Sequence, residues 1–204
     1  MNKLALRFLI CSSIAQSDAA IIYRDDIDLS LFSLQRRDIE FDIDDNTVPD
    51  LTFRVQSGDF NLIGNGANRI IALPAAPPDL GANITPLWSG VELNQDVESG
   101  LFWYAPGLQL GSANFLSCRN IGCIGEWANL TAFLGVEFDI EGEIHYGWLE
   151  IEAPFGSIPG GNLLRLAYED EPGKAIMTGA IPEPSTGMMI VIASSILSFL
   201  RRRR

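Results

Sequence analysis

Between Gly135 and Ala153 the chain runs GVEFDIEGEIHYGWLEIEA, and this stretch narrows the choice of fold more than any other. Val136, Phe138 and Ile140 alternate with Glu137, Asp139 and Glu141. Alternate side chains of a strand leave opposite faces, so the apolar set is expected on the core and the carboxylates in water. The next apolar run starts just after Gly142, which predicts a hairpin. That second run is apolar on both faces, with Ile144, Tyr146 and Trp148 on one and Leu149 and Ile151 on the other. A central strand covered on both sides is expected there.

The same texture extends over the body of the chain. IEFDI, LTFRV, NLIG, RIIAL, GLFWYA, FLGVEFDI, LLRLAYE and AIMTG are short runs rich in β-branched and aromatic residues, separated by Gly, Pro, Asn and Asp. Helical periodicity is hard to find between Ala20 and Ala180, so these runs are expected as strands. The prediction is an all-β protein with a single antiparallel β-sandwich or jelly-roll-like domain over residues 20–180. LPAAPPDLGANITPLWSG is Pro- and Gly-rich and is expected as a long surface loop. A chain of 204 residues without repeats or an interdomain linker suits one core.

The formal net charge is −12, and the body is more acidic than the ends. From Ala20 to Ala180 there are eight basic and 24 acidic residues. Such a surface repels nucleic acid, which is excluded as a partner, and suits an extracellular or cation-rich setting. Residues 1–19 have the layout of a signal peptide: Lys3, an apolar stretch interrupted by Arg7, and a small-residue site at Ser17-Asp18-Ala19. Beyond Cys11 in that segment, the cysteines are Cys118 and Cys123 of CRNIGC. Export makes a Cys118–Cys123 disulfide plausible, two idle thiols being the alternative. No second Cys or His pair exists to complete a zinc site.

No enzyme is predicted. His145 is the single histidine and sits mid-strand, where a packed or hydrogen-bonded ring is the simpler expectation than a catalytic base. No G-x-S-x-G elbow occurs, and GNGANR lacks the Lys-Ser/Thr pair and the helix of a phosphate-cradling loop. Two carboxylates of a glycan hydrolase are invisible at this level, which keeps that reading open as an alternative. A carbohydrate-binding module is another, with Trp88, Trp103 and Trp127 as aromatic platforms if their indoles are exposed.

One loop is chemically sharper. In IEFDIDDNTVPDLTF, Asp42, Asp44, Asn46 and Asp50 occupy positions one, three, five and nine, and Val48 can offer its carbonyl at seven. Hard Ca2+ takes six to eight oxygens, and such a tight turn can gather them. The stretch resembles the D-x-D-x-D-G-x-x-D calcium loops of secreted bacterial proteins. Thr47 stands where those loops have glycine, and Phe53 stands where an EF-hand closes with glutamate. An acidic turn without an ion is the alternative.

The chain ends IPEPSTGMMIVIASSILSFLRRRR. Residues 187–200 are apolar or small, and as a helix they would reach about 21 Å against a hydrocarbon core of about 30 Å. That is marginal for a permanent C-terminal transmembrane helix and adequate for stop-transfer, with Arg201, Arg202, Arg203 and Arg204 cytoplasmic. Pro182, Glu183 and Pro184, then Ser185 and Thr186, an apolar run and an arginine cluster resemble the PEP-CTERM sorting signal over residues 181–204. The run of Tyr146-Gly147-Trp148 and Ala167-Tyr168-Glu169 is similar to a stretch common in such proteins. The resemblance implies an exported bacterial protein, with an inner-membrane intermediate and then a cell-surface or extracellular location. It further implies processing by an exosortase-type membrane transpeptidase, and the role expected of such a surface protein is structural or adhesive and linked to exopolysaccharide.

Overall fold

The structure is a computed structural model describing residues 20–74, 82–106, 113–119, 122–153 and 158–182. Fifteen strands follow in order: β1 (Ile21–Arg24), β2 (Leu29–Ser30), β3 (Arg37–Phe41), β4 (Leu51–Gln56), β5 (Asp59–Gly64), β6 (Arg69–Pro74), β7 (Ala82–Ile84) and β8 (Glu92–Leu93). The remainder are β9 (Phe102–Tyr104), β10 (Ala113–Arg119), β11 (Gly122–Ile124), β12 (Leu130–Ile140), β13 (Glu143–Ala153), β14 (Asn162–Glu169) and β15 (Ile176–Met177). Every run named above as strand-forming falls on one of them. The hairpin expectation also holds: β12 and β13 pair antiparallel with Ile140 opposite Glu143, leaving Glu141 and Gly142 as the turn. Both turn residues have positive φ, 54° and 92°, the left-handed pair that a two-residue hairpin loop requires.

The arrangement of the strands corrects the sandwich expectation. Thirteen strands form one sheet in the order β1-β14-β13-β12-β6-β7-β10-β5-β4-β3, with β2, β9 and β11 attached beside β14, β6 and β10. Pairing is antiparallel except between β7 and β10, which run parallel, so the sheet is mixed. Leu51, Phe53 and Phe60 from one end share a single buried cluster with Leu149, Leu163 and Leu166 from the other. Strands that far apart in the sheet meet only because it curls, in the sense that strand twist dictates, into a half-barrel around its own inner face. Alternation in the sequence marks one buried face per strand and is silent on which strand pairs with which, and the same pattern serves a sandwich or a curled sheet.

The outer face carries a smaller cluster. Ile71, Leu87, Leu93, Phe133, Tyr146, Trp148, Ala167 and Ile176 pack together under the two-stranded ribbon of β8 and β15. Gly135 allows the close approach, since a Cβ there would sit 2.7 Å from Ile71 Cγ1 and 2.9 Å from Leu93 Cδ2. This explains the two apolar faces of β13: Leu149 and Ile151 point inward, while Tyr146 and Trp148 belong to the outer cluster.

Three further expectations change. Glu137 is not in water but buried, held by a two-point ion pair with Arg69 at 2.5 Å on each arm. The Pro-rich segment after β6 is not all loop, because Ala82 and Ile84 are buried in β7 and Leu87 bridges to Phe133. The fold itself is made of strands; among the described residues no helix is long and apolar enough to cross a membrane. The expected helix over 187–200 lies outside the described residues, as do the signal peptide over 1–19, Glu183, Pro184 and Arg201–Arg204. Pro182 is exposed at the end of the described chain.

Candidate functional site

The connection from β3 to β4 gathers the acidic loop. β3 ends at Phe41 and β4 begins at Leu51, and Asp50 N–H donates to the Phe41 carbonyl at 2.9 Å, closing the neck. Within the loop, backbone N–H groups turn inward onto carboxylates. Asn46 N–H lies 3.2 Å from both Asp42 Oδ1 and Asp44 Oδ1, and Thr47 N–H donates to Asp42 Oδ2 at 2.6 Å. Asp45 and Thr47 take positive φ, 61° and 75°, to make this curvature. Thr47 therefore adopts the backbone that glycine supplies in the loops this one resembles.

Asp42, Asp44 and Asp50 each bring one carboxylate oxygen to within 4.8 Å of the others, close enough to hold a divalent cation. Asn46 is turned into its own loop, its Oδ1 accepting from Val48 N–H at 2.7 Å and its Nδ2 donating to Asp44 Oδ2 at 2.9 Å. The Val48 side chain is exposed. Asp50 is 5% exposed and pinned from two sides: Ile43 N–H donates to Oδ2 at 2.8 Å, and Asn68 Nδ2 donates to Oδ1 at 3.0 Å. Burial pushes its carboxyl up to about 6, helped by the charges of Asp44 and Asp42 and opposed by those two hydrogen bonds. Asp44 is also raised, by burial first and then by Asp42. Carboxyls raised by burial, and further by each other's charge, are ones that a divalent cation would return to the ionised form.

The loop also lies at the seam of the half-barrel. Arg24, at the end of edge strand β1, donates to Asp45 Oδ1 at 2.9 Å and lies 3.5 Å from the Ile43 carbonyl just beyond the opposite edge strand, β3.

Beside the acidic loop is an open cavity of about 340 Å³. Three segments distant in sequence wall it: the second half of the loop through Asp50, the turn from Asn65 to Asn68, and Asp139 with Glu141 at the β12–β13 turn. Asn68 ties all three together. It is 7% exposed, donates to the Asp50 carbonyl at 3.1 Å as well as to its side chain, and accepts from Asp139 N–H at 3.2 Å. Asn65 braces the same corner, donating to the Pro49 carbonyl at 2.9 Å. Both asparagines belong to GNGANR, and Asn-Gly turn chemistry was the one signal in the sequence that could have located them.

The remaining candidates are placed as follows. Cys118 and Cys123 face each other across β10 and β11 and are joined as a disulfide, with their Cα atoms 3.9 Å apart. His145 is buried, with Nδ1 2.8 Å from the Glu169 carbonyl, which its N–H satisfies. Three carboxylates meet basic partners: the buried Glu137 with Arg69, the partly buried Glu150 with Arg165, and the buried Glu169 with Lys174 at 3.0 Å. Trp127 is fully buried, its indole N–H on the Ile84 carbonyl at 2.9 Å. Trp103 is half-buried, donating to the Asn94 carbonyl and packed on Tyr146. Trp88 is 62% exposed.

No family model, curated protein or solved structure matches the chain. The expectation of an exported protein sorted by an exosortase-type partner, with an inner-membrane intermediate and a structural or adhesive surface role, is corrected accordingly. It rested on a family likeness that no match supports, and on a membrane helix of which the described fold contains none.

Proposed function

We propose that this chain is a non-catalytic carbohydrate-binding module organised by Ca2+. The observation that carries the reading is the convergence of Asp42, Asp44 and Asp50 within 4.8 Å in a loop whose amides already curl around the carboxylates. An all-oxygen donor set without His or Cys favours a hard cation, and the irregular, partly exposed loop suits calcium better than octahedral magnesium. Carbohydrate is the ligand class that an exposed indole favours. Trp88 offers an exposed indole of the kind on which a sugar face stacks, while Trp103 and Trp127 are structural. The pairing of Glu137, Glu150 and Glu169 with basic residues, and the hydrogen-bonded His145, support binding over catalysis.

The test is a glycan array and solution titration of the full chain in calcium and in chelator. Binding to neutral glycans that needs calcium and falls at least tenfold in Trp88→Ala is the expected result. An array blank in both conditions removes carbohydrate, and a melting curve indifferent to calcium and chelator removes the ion.

A further inference from the structure

We infer that Thr178 is the positioning residue of the Trp88 platform: it pins the backbone of residues 88–91, so that the exposed indole is presented to a sugar in one fixed orientation. The inference rests on the carbohydrate reading above and adds to it the residue that makes the platform rigid.

Thr178 is 1% exposed, and all its polar groups are turned onto one short segment. Its hydroxyl donates to the Trp88 carbonyl at 2.6 Å and accepts from Val91 N–H at 2.9 Å. Its own N–H donates to the Val91 carbonyl at 2.9 Å. Its carbonyl accepts from Gly90 N–H at 2.9 Å and from the Ser89 hydroxyl at 3.4 Å. On the other side of the indole, Leu87 is buried and exchanges both backbone hydrogen bonds with Phe133 of β12, at 2.9 and 3.0 Å. Trp88 is thus fixed at the residue before it and at its own carbonyl, while its side chain is 62% exposed.

Packing does not explain that combination. An indole that stabilises a fold does so by burial, as Trp127 and Trp148 do here. At Trp88 the backbone is ordered and the large apolar side chain is left to solvent. Burying a hydroxyl is costly unless it is hydrogen-bonded, and both bonds of the Thr178 hydroxyl go to the segment that carries Trp88. A platform whose backbone is already ordered loses less freedom when a ligand stacks on it, which is how pre-organisation raises affinity.

Glycines let the two segments meet this closely. Gly90 has φ 90° and Gly179 φ 78°, and a Cβ at Gly179 would sit 2.9 Å from Ser89 Oγ and 3.2 Å from Phe133 Cζ. A valine at position 178 has the shape of threonine without its hydroxyl. It leaves the Trp88 carbonyl and Val91 N–H without that partner and keeps the backbone bonds that continue the β8–β15 ribbon. Serine keeps the hydroxyl.

The experiment labels the full chain with fluorotryptophan and assigns the Trp88 resonance by its loss in Trp88→Phe. Thr178→Val should broaden or shift that resonance and leave those of Trp127 and Trp148 in place, and Thr178→Ser should restore it. Gly90→Ala strains the same segment from an open position, without touching Thr178 or the core, and should disturb the same resonance. Cellohexaose, xylohexaose and mannohexaose are then titrated in CaCl2. Expected for Thr178→Val is a loss of about fivefold in affinity, the effect of one ordinary hydrogen bond, recovered in Thr178→Ser. A Trp88 resonance unmoved in both Thr178→Val and Gly90→Ala overturns the positioning role. So does an unchanged affinity of Thr178→Val for a hexasaccharide that the parent binds through Trp88, and Thr178 is then a fastener of the ribbon alone. A resonance that moves as expected, with no hexasaccharide bound by the parent, upholds Thr178 as the residue that orders Trp88 and overturns the carbohydrate reading instead.

Discussion

The β12–β13 hairpin and the Asp42–Asp50 loop are connected by different physics, and the contrast organises the molecule. The hairpin spans eleven residues on each strand and is buried on both faces, with Trp148, Leu149 and Ile151 fully excluded from solvent. Each such side chain contributes on the order of 2 kcal/mol by leaving water, and no outside factor is required. The loop buries little, concentrates like charges, and curves through two left-handed non-glycine residues. Its shape is set by hydrogen bonds to carboxylates that repel one another. One region is held by burial, and the other gathers carboxylates that could hold a divalent cation.

The largest effect expected is in the hairpin. Trp148→Ala empties the centre of the outer cluster, where the indole meets Phe133 edge-on at 5.1 Å. It should cost about 3–5 kcal/mol in denaturant unfolding. The cost should be equal in calcium and in EDTA. A calcium-dependent cost would break the division between the two regions.

Next in size is the ion. Calcium at about a hundred times its dissociation constant should stabilise the fold by about 2.7 kcal/mol, read as a rise in Tm, and Asp44→Ala should abolish the rise. Equal melting curves with and without calcium would leave the loop an acidic turn held by the same forces as any other.

A smaller effect sharpens the cause. In chelator, Asp50 has a native carboxyl raised to about 6, above its unfolded value near 3.9, so the folded state holds the extra proton between those values. Stability of the ion-free protein then falls as pH rises through that window, by on the order of 3 kcal/mol at most, and stays lower above it. Calcium favours the carboxylate and opposes that fall. The calcium-induced rise in Tm should therefore be small at pH 5 and larger at pH 7, and an Asp50→Asn protein in chelator should lose the pH dependence. A calcium response that is flat from pH 5 to 7 would remove Asp50 from the ligand set.

The same contrast explains what could be read from the amino acids. Val136, Phe138, Leu149 and Trp148 announced their faces because burial acts residue by residue with a period of two. Glu137 defied the pattern because its partner, Arg69, is 68 positions away and no local period records a long-range ion pair. The parallel pairing of β7 with β10 was invisible for the same reason: Ala82 and Ile84 look like loop residues until the rest of the sheet supplies their neighbours. At the site, the convergence of Asp42, Asp44 and Asp50 was legible because they lie close in sequence within one tight turn. Asn68 and Glu141 were not, because folding alone brings them to that loop. The tail's likeness to a sorting signal was legible as pattern and said nothing about this fold.

The smallest effect separates the loop's shape from its ion. Thr47 sits at φ 75° with its side chain exposed, a left-handed conformation that crowds a β-branched residue and costs about 1–2 kcal/mol. Its backbone N–H, not its side chain, donates to Asp42, and glycine retains that donor. Thr47→Gly should relieve the strain at the expense of a more flexible unfolded chain, for a net gain of about 0.5–1 kcal/mol. The gain should appear in EDTA as well as in calcium, because the strained backbone is present before any ion binds. Thermal melts of both proteins in both conditions decide it. A loss of stability in EDTA would mean that the threonine stiffens the loop against its own charges. Pre-organisation of the site would then lie in that one residue, and the loop would stand nearer to the hairpin than the comparison puts it.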